Sequence, residues 1–387
     1  MVSDHNTFDT LIIGAGPVGL VAAIGFARAG HQVALVAPPS IPNGFGRTVA
    51  LMKSSIDYLA ELGLWDAIQP NTAPLARMTL IDDTGSLFRP PPAMFNASEI
   101  NLPAFGYNIE VEHLVRILES AVTAQSGIIR LTDTVEAISV DSRSATVTLS
   151  DRSSLNGSLV VGADGRKSKV RSAVGITAKE WNYAQSALTT VLDHTRDHHD
   201  TSTEFHTREG PFTLVPLPGR RSSLVWLASP ASAQLLHALD ERSLSTRIEA
   251  QSQSLLGKIR ISGPRGLVPM AGLSVSMITR HRAALVGEAA HAFPPIGAQG
   301  LNLGMRDVRD LVRSTANASD HGSADILASY QRKRSRDIAT RTRAVDTLNR
   351  SLLSPLLPVD FARGFGLLAI STVKPLRKFI MRQGLGA

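Results

Sequence analysis

The stretch FDTLIIGAGPVGLVAAIGFARAGHQVALVAP, residues 8–38, decides the fold of this chain. Its pattern predicts a β-strand from Thr10 to Ile13, a glycine turn, an apolar helix that ends at Gly30, and a second β-strand from Gln32 to Val36. This order of strand, helix and strand is typical of a βαβ unit. The stretch therefore predicts an α/β fold of the Rossmann type.

The turn of this unit carries the G-x-G-x-x-G pattern of a dinucleotide site, with Gly14, Gly16 and Gly19 at its glycine positions. The first glycine permits the tight turn, the second lets a pyrophosphate approach the backbone, and the third lets the helix pack on the strand. Free N–H groups at the helix start then bind the anion. Ala37 stands where an acidic residue is expected to hold a ribose hydroxyl. Either the ribose is held otherwise, or this nucleotide site is weakened.

Two later stretches again combine a strand, a glycine with an acidic residue, a turn and a helix. In LVVGADGRKSKVRSAVG, residues 159–175, the strand is followed by Asp164 and Gly165, and basic residues run on to Arg171. In VGEAAHAFPPIGAQGLNLGMRD, residues 286–307, a His-x-Phe-Pro-Pro turn leads to a glycine-rich helix start. A helix cap with a proline stop before it explains one glycine of this stretch, but not the set.

The composition sets limits on fold and function. With 387 residues, 43% hydrophobic and 19% charged, the chain is globular and exceeds one ordinary core. The absence of cysteine excludes disulfides, thiolate catalysis and cysteine-ligated metals. No run reaches the roughly 18 apolar residues of a membrane span. Acidic residues, Asp4 and Asp9, precede the apolar run 11–26 where a signal peptide carries basic ones. We expect a cytoplasmic chain.

The positive charge is concentrated at the C-terminus. Residues 331–387 hold twelve Lys or Arg against three Asp, a net of +9, so the formal charge of +7 leaves about −2 for the rest. Apolar segments there alternate with four cations: Lys374, Arg377, Lys378 and Arg382. This favours either an amphipathic surface on the anionic inner membrane or helices that dock on the protein's own body. The arginines of 331–343, without interleaved aromatics, favour a solvated helix face, and we expect no nucleic acid partner.

The segment DHTRDHHDTSTEFH, residues 193–206, gathers four histidines: His194, His198, His199 and His206. Histidines at i and i+4 on a helix can share a metal. The segment lacks helical periodicity and lies between two strand-like runs, so a polar loop is favoured and no metal is expected. The chain also contains no G-x-S-x-G, which excludes the common serine hydrolase pattern.

The three glycine motifs together resemble those of the class A FAD-dependent aromatic monooxygenases, the para-hydroxybenzoate hydroxylase-like family. Within that family the chain is most similar to the ubiquinone-biosynthesis hydroxylases. This similarity rests on RTVALMKSSIDYLAELGLW (47–65), GPFTLVPLPGRRSSLVW (210–226), the third motif, and the pattern from Tyr330 through Asn349. The resemblance covers essentially the whole chain.

Because the motifs extend from residue 14 to residue 307, the FAD-binding domain must be assembled from separated segments. We expect a Rossmann-like FAD-binding domain from residues 1–75, 96–178 and 275–330. A second, mostly antiparallel β-sheet substrate domain is expected from 76–95 and 179–274, and C-terminal helices from 331–387. Alternation in FTLVPLP and SSLVWLA suits the second sheet.

The resemblance implies FAD as the cofactor. NAD(P)H is implied as a co-substrate that docks transiently, since there is no second G-x-G-x-x-G. It implies these cofactor-binding residues: Gly14, Gly16, Gly19, Arg47, Asn108, Asp164, Gly165, Arg171, Gly287, Glu288, Gly297, Gly300, Leu301 and Asn302. Glu288 replaces the family's Asp, so its contact with the ribityl chain must shift. Arg47 is otherwise a solvated arginine at a helix start.

In the family the third motif lies beneath the flavin, with the positive helix end toward its pyrimidine edge. Pro294 and Pro295 would then shape the pocket over the reactive carbon and shield it from water. His291 is a candidate proton shuttle, or equally a structural histidine bonded within the turn. The residues show no acid–base dyad, so no catalytic residue is assigned.

The implied reaction is hydroxylation of the aromatic ring of a polyprenylated ubiquinone precursor, with NAD(P)H and O2. Two alternatives remain open. In the first, the chain is a flavin monooxygenase or reductase that acts on another apolar substrate. In the second, Ala37 and Glu288 mark a weak-flavin assembly partner in a quinone-biosynthesis complex.

Overall fold

The computed structural model describes residues 7–39, 46–85, 91–293 and 299–353, together with Pro375, Arg377, Lys378 and Met381. Its strands, in chain order, are β1 (Thr7–Ile13), β2 (Val33–Ala37), β3 (Thr48–Met52), β4 (Ala73–Pro74), β5 (Arg77–Asp82), β6 (Ala93–Asn96), β7 (Gly106–Glu110), β8 (Ile128–Thr132), β9 (Val135–Val140), β10 (Ala145–Leu149), β11 (Ser154–Gly162), β12 (Ala178–His194), β13 (Thr201–His206), β14 (Pro211–Leu217), β15 (Arg221–Ala228), β16 (Ile259–Ile261), β17 (Gly266–Val275), β18 (Thr279–Arg280), β19 (Ala283–Leu285) and β20 (His291–Ala292). Its helices are α1 (Pro17–Arg28), α2 (Lys53–Glu61), α3 (Trp65–Ile68), α4 (Val111–Thr123), α5 (Lys169–Ala173), α6 (Pro230–Ala238), α7 (Glu241–Gln251), α8 (Gln299–Thr315) and α9 (Ala324–Leu353).

The first sheet is built around the predicted βαβ unit. β1 pairs in parallel with β2 and β11, and β8 and β19 continue the parallel order on either side. β10 and β9 extend β11 as an antiparallel ribbon, and β18 closes the other edge. Strands of a parallel sheet are buried on both faces, which explains why all five residues of β2, VALVA, are apolar and buried.

Helix α1 begins and ends as the sequence predicts. Pro17 occupies the first helical position, where its missing N–H and fixed φ cost nothing. Gly30 follows the helix with a φ of +92°, a conformation in which a side chain is strained. The helix is buried from Gly19 to Ala27, because it packs against α4 and α8 as well as the sheet.

The second sheet runs in the order β20-β17-β12-β15-β14-β13-β5-β6, with β16 attached to β12. All its pairs are antiparallel except β13 with β5. The prediction of a parallel sheet accompanied by a second, mostly antiparallel sheet is thus confirmed. Strand β20 comes from the third glycine motif, so that motif is tied to both sheets. A small sheet, β3-β7-β4, lies alongside them.

The C-terminal part contains the long helices α8 and α9. Beyond α9, the Arg377 guanidinium binds Glu99 (Nη2–Oε2 2.6 Å), and the buried Met381 packs with Ala97 and Phe105. Within the described ranges, no helix has the length and apolar character needed to cross a bilayer. Lys374 and Arg382 lie outside the described residues.

The arginines of 331–343 were predicted to form a solvated helix face. Arg332 and Arg336 are exposed as predicted, but Arg334 is only 3% exposed, so the prediction is wrong at that position. Its guanidinium is held by carboxylates of Asp307, Asp310 and Asp337. A cationic side chain can be buried when such partners offset the loss of hydration. Asp307 and Asp310 are distant from Arg334 along the chain, so the local sequence pattern does not indicate these contacts.

Candidate functional site

Three glycine turns meet at the carboxyl edge of the first sheet. Ile13, Gly162 and Leu285 are register partners in the adjacent parallel strands β1, β11 and β19. The turns that follow these residues are therefore neighbours, although more than a hundred residues separate each from the next. The carboxyl edge of an open parallel sheet is where such folds bind ligands.

Two glycines of the first turn are required by close packing. Gly14 has a φ of +109°, and a Cβ there would lie 2.3 Å from the Ala163 carbonyl oxygen. A Cβ on Gly19 would lie 1.9 Å from the Gly14 carbonyl oxygen. Both positions exclude any larger residue, since real Cβ atoms do not approach backbone so closely. Their close approach holds the start of α1 against the sheet.

Gly16 is different, because space surrounds it. A Cβ on Gly16 would meet no described atom within 4 Å, and its φ of −71° and ψ of 173° suit any residue. Gly16 is also the N-cap of α1, and no side chain of the described residues caps that helix. The first turn of α1 therefore offers uncapped N–H groups beside an open space, which is the requirement for binding a phosphate.

The second turn carries a carboxylate with one oxygen unused. Asp164 Oδ2 accepts from the backbone N–H groups of Lys169 (2.7 Å) and Val170 (3.2 Å). Asp164 Oδ1 is buried and has no hydrogen-bond partner within the described part of the chain. Gly165 beside it has a φ of +76° and open space at its Cβ position. A buried, unpartnered carboxylate oxygen is costly, and a ligand hydroxyl would satisfy it.

Arg171 links the second and third turns instead of presenting its charge outward. Arg171 is 7% exposed, and its guanidinium donates to the carbonyls of Ala289 (Nη1–O 2.9 Å) and Arg166 (Nη2–O 2.6 Å). Ser168 caps the short helix from which Arg171 projects. The arginine thus fastens the Asp164 turn to the segment that follows Gly287.

The third turn lies against the first. Gly287 has a φ of +59°, and a Cβ there would meet Val18 Cγ2 at 3.2 Å. The Glu288 side chain points outward, 58% exposed, with Oε2 3.6 Å from Arg166 Nε. The charge of the family's acid is therefore present at this position, but its carboxylate faces the surface.

Helix α8 starts beside this turn, and Asn302 anchors it. Asn302 Oδ1 accepts from Met52 N (2.8 Å) and Ser55 Oγ (2.7 Å), and Nδ2 donates to Ala50 O (2.8 Å). Asn302 was predicted to bind the cofactor, and its described contacts tie the start of α8 to residues 50–55. A Cβ on Gly300 would meet no described atom within 4 Å. Leu301 packs against the first core.

Arg47 and Asn108 lie on the small third sheet or next to it. The Arg47 side chain is exposed, and its carbonyl accepts from Val111 N (3.0 Å). Asn108 is buried, and its Nδ2 donates to the Pro216 carbonyl (2.8 Å). Asn108 therefore fastens the third sheet to the second. Pro294, Pro295 and Gly297, also predicted for the site, lie outside the described residues.

His291 belongs to a buried network centred on Asp307, a residue for which no role was predicted from the sequence. His291 Nε2 lies 2.6 Å from Asp307 Oδ2, and both side chains are 0% exposed. Burial acts to raise the pKa of Asp307, but the charges of His291 and Arg334 outweigh it and hold that pKa below its ordinary value. The signal available in the sequence was a pair of aspartates, 307 and 310, spaced to share one face of α8.

The histidines of residues 193–206 form local contacts. Residues 195–200 form the predicted loop, whereas His194 ends β12 and residues 201–206 form β13. His194 bonds through its ring to Arg196 O (2.7 Å) and Ser222 Oγ (3.0 Å). Across the described ranges, no group of three or more potential ligands has metal-binding geometry.

Comparison with known proteins agrees with this geometry. A protein-family model for an FAD binding domain matches residues 7–345. The ubiquinone hydroxylase UbiL of Rhodospirillum rubrum is 31% identical, covering 99% of this chain and 91% of the relative. The 3-demethoxyubiquinol 3-hydroxylase of Escherichia coli is 30% identical over 97% of each chain.

Solved structures show the same fold. The p-nitrophenol 4-monooxygenase PnpA of Pseudomonas putida superposes with a TM-score of 0.82, at 19% identity and 99% coverage of both chains. HpxO of Klebsiella pneumoniae, solved with FAD and uric acid, gives a TM-score of 0.79 at 20% identity, covering 99% of this chain and 97% of HpxO.

Proposed function

The chain belongs to the FAD-binding-domain family, and from that premise we propose that it is an FAD- and NAD(P)H-dependent monooxygenase of ubiquinone biosynthesis. Its reaction is the hydroxylation, with O2, of the aromatic ring of a polyprenylated phenol or quinone precursor. The hydroxylases UbiL and 3-demethoxyubiquinol 3-hydroxylase, which match this chain over nearly its full length, support the substrate class.

One observation carries the cofactor assignment. The three turns form a cradle in which a Cβ on Gly16, Gly165 or Gly300 would meet no described atom within 4 Å, and Asp164 Oδ1 lacks a partner among the described residues. This combination suits a long ligand with phosphates and hydroxyls. The uncapped start of α1 would hold the pyrophosphate, and Asp164 Oδ1 would accept from a hydroxyl group.

When bound, FAD supplies electron transfer from NAD(P)H and the activation of oxygen. The chain's own contribution is to bind, orient and exclude water. The start of α8 at Gly300 carries the positive end of the helix dipole, which would stabilise negative charge on the cofactor. Asn302 and Arg171 keep the surrounding turns in place through their contacts with Ala50 and Ala289.

The second sheet offers an apolar face for the substrate ring. Ser223, Val225 and Leu227 share one face of β15, since side chains alternate along a strand. Ser223 Oγ accepts from Thr48 Oγ1 (2.8 Å), so this face is turned toward the third sheet and Arg47. Leu227 and Met270 form a buried apolar cluster there, and the partly buried Val225 packs against it, which suits contact with an apolar aromatic ring.

The test uses purified full-length protein, NADH or NADPH, and a short-chain prenyl phenol under isotopically labelled O2. We expect flavin absorbance bands, reductant oxidation that depends on the phenol, and a product carrying one labelled oxygen atom. Reductant oxidation without labelled product would favour the alternative of a reductase or of another apolar substrate. In a deletion strain, accumulation of one quinone precursor would identify the step.

A weak-flavin assembly partner is the second candidate, favoured by two positions. Ala37 ends β2 without an acidic group, and the Glu288 carboxylate is turned to the surface. A colourless protein that takes up no added FAD, yet co-purifies with quinone-biosynthesis enzymes, would support this role over catalysis.

We also propose that the chain is cytoplasmic and contacts the anionic inner membrane through its basic C-terminus. The net charge of +9 in residues 331–387 and the exposed Lys378 support this. The contacts of Arg377 and Met381 with the body support the docking alternative. The intact protein should bind anionic liposomes and not neutral ones, and deleting residues 350–387 should abolish the binding to anionic liposomes. Unchanged binding would contradict the membrane role.

The domain division also remains our proposal: residues 1–75, 96–178 and 275–330 for FAD, 76–95 and 179–274 for substrate, and 331–387 as the C-terminal region. The membership of β5, β6 and β12–β17 in the second sheet supports it.

A further inference from the structure

A single buried carboxylate, that of Asp307, connects three segments of the site. Asp307 lies in α8 and is 0% exposed. Its Oδ2 accepts from Gly287 N (3.0 Å) and faces His291 Nε2 (2.6 Å), while its Oδ1 accepts from Arg334 Nε (2.8 Å). The carboxylate thus joins both ends of the third turn to α8 and to α9.

The energetic weight of this carboxylate comes from its burial. A buried charge without partners is very costly, and charge-assisted hydrogen bonds are about twice as strong as neutral ones. Arg334 supplies the charge that compensates the Asp307 carboxylate. The bonds from this carboxylate to Gly287 and His291 can therefore hold the turn 287–291 in position. His291 Nε2 faces an oxygen that only accepts, so Nε2 donates to it, and Nδ1 has no partner within the described ranges.

The third turn in turn holds the second. Ala289, between the two Asp307-bonded residues, receives Nη1 of Arg171, and Arg171 also holds Arg166 beside Asp164. A displacement of the segment 287–291 would therefore move the Ala289 carbonyl, and through Arg171 it would also move the turn that contains Asp164.

We infer that Asp307 is a positioning residue of the FAD site, acting through the turn 287–291 without touching the cofactor. This inference rests on the proposed function. Supporting groups that lock a site's geometry commonly decide its affinity, because a small displacement of the turn misaligns its contacts. The role proposed for His291 is accordingly to orient this turn, and not to carry protons.

Asp310 offers a matched control. It lies one turn further along α8, is 3% exposed, and meets the same arginine (Arg334 Nη1–Oδ2 3.3 Å) together with Lys333 (Nζ–Oδ1 2.8 Å). Among the described contacts it makes none with residues 287–291. Asp310→Asn therefore removes a similar buried charge and leaves the turn bonded.

The experiment compares wild type, Asp307→Asn and Asp310→Asn as full-length proteins. Three quantities are measured: the melting temperature without FAD, the FAD dissociation constant, and the visible absorption spectrum of the bound flavin. We expect Asp307→Asn to weaken FAD binding about tenfold and to shift the flavin spectrum, because the neutral amide weakens the charge-assisted bonds to Gly287 and His291. Asp310→Asn should weaken binding less than about threefold and keep the wild-type spectrum.

His291→Phe is the second variant, in case Asp307→Asn does not fold. It keeps the Asp307–Arg334 pair and the bond to Gly287, and removes one contact, so FAD binding should weaken about threefold. Equal loss of affinity in the two aspartate variants at equal loss of melting temperature would overturn the inference, as would wild-type affinity in Asp307→Asn or in His291→Phe. A wild type that binds no FAD would overturn the proposed function itself, and the FAD dissociation constant of the wild type shows this separately.

Discussion

Substituting Gly16 by alanine should raise the melting temperature of the FAD-free protein and lower its affinity for FAD. The new Cβ would meet no described atom within 4 Å, and the backbone at Gly16 already has a φ of −71° and a ψ of 173°. Alanine adopts these angles without strain. Alanine reduces the conformational entropy of the unfolded chain, and such substitutions stabilise proteins by about 0.4–1 kcal/mol. For a chain of this size, that raises the melting temperature by roughly 1–2 °C.

The same methyl group should cost affinity. It would occupy the space through which the pyrophosphate approaches the start of α1, where the N–H groups are uncapped. We expect the FAD dissociation constant to rise by about tenfold or more, which corresponds to about 1.4 kcal/mol per tenfold step. Stability and affinity thus change in opposite directions at one position.

Gly19→Ala is the matched control in the same turn. Its Cβ would lie 1.9 Å from the Gly14 carbonyl oxygen, so α1 must move away from the turn. Overpacking of this kind costs about 1–3 kcal/mol, and the empty protein should melt below wild type. Calorimetry of the FAD-free proteins and fluorescence titration with FAD measure both effects. The reasoning is refuted if Gly16→Ala binds FAD like wild type, or if Gly19→Ala is as stable as wild type.

Three further predictions concern contacts outside that turn. Asn302→Ala should lower the free energy of unfolding by about 2 kcal/mol in urea titrations, because buried groups of the segment 50–55 lose their partner; a change within about 0.5 kcal/mol would contradict it. Glu99→Gln should speed amide hydrogen exchange around Arg377, since the charged pair that holds it is lost, and unchanged exchange would count against this. The depressed pKa of Asp307 means that its contribution is complete above about pH 4 and is lost as the pH falls through its folded value. The difference in unfolding free energy between wild type and Asp307→Asn should therefore shrink on acidification, and a growing difference would refute the assignment.

The glycine pattern allowed much of the fold to be predicted, because each glycine answers a local requirement. Gly14 and Gly30 have positive φ values in the structure, and Gly19 has no room for a Cβ. These constraints arise within a few residues of chain, so they are visible in the sequence. The two sheets followed from strand alternation and from the spread of the motifs.

The partners of polar side chains were less accessible to sequence reasoning. Asn108 and Arg171 were assigned to the cofactor by resemblance, and the contacts described for them join protein segments. Arg334 was expected in solvent and is buried. Each of these outcomes depends on which backbone carbonyl or carboxylate, distant in sequence, comes within about 3 Å of the side chain. The composition of the chain does not indicate that.

The sequence by itself determined the βαβ core, the three glycine turns and the family, because steric limits on glycine and the burial of apolar strands act locally. Only the tertiary structure decided that the three turns meet, through the register of Ile13, Gly162 and Leu285. It alone also decided that Asp307 serves Gly287, His291 and Arg334 together. A buried charge is tolerable only where its partners converge, and that convergence is a property of the folded chain.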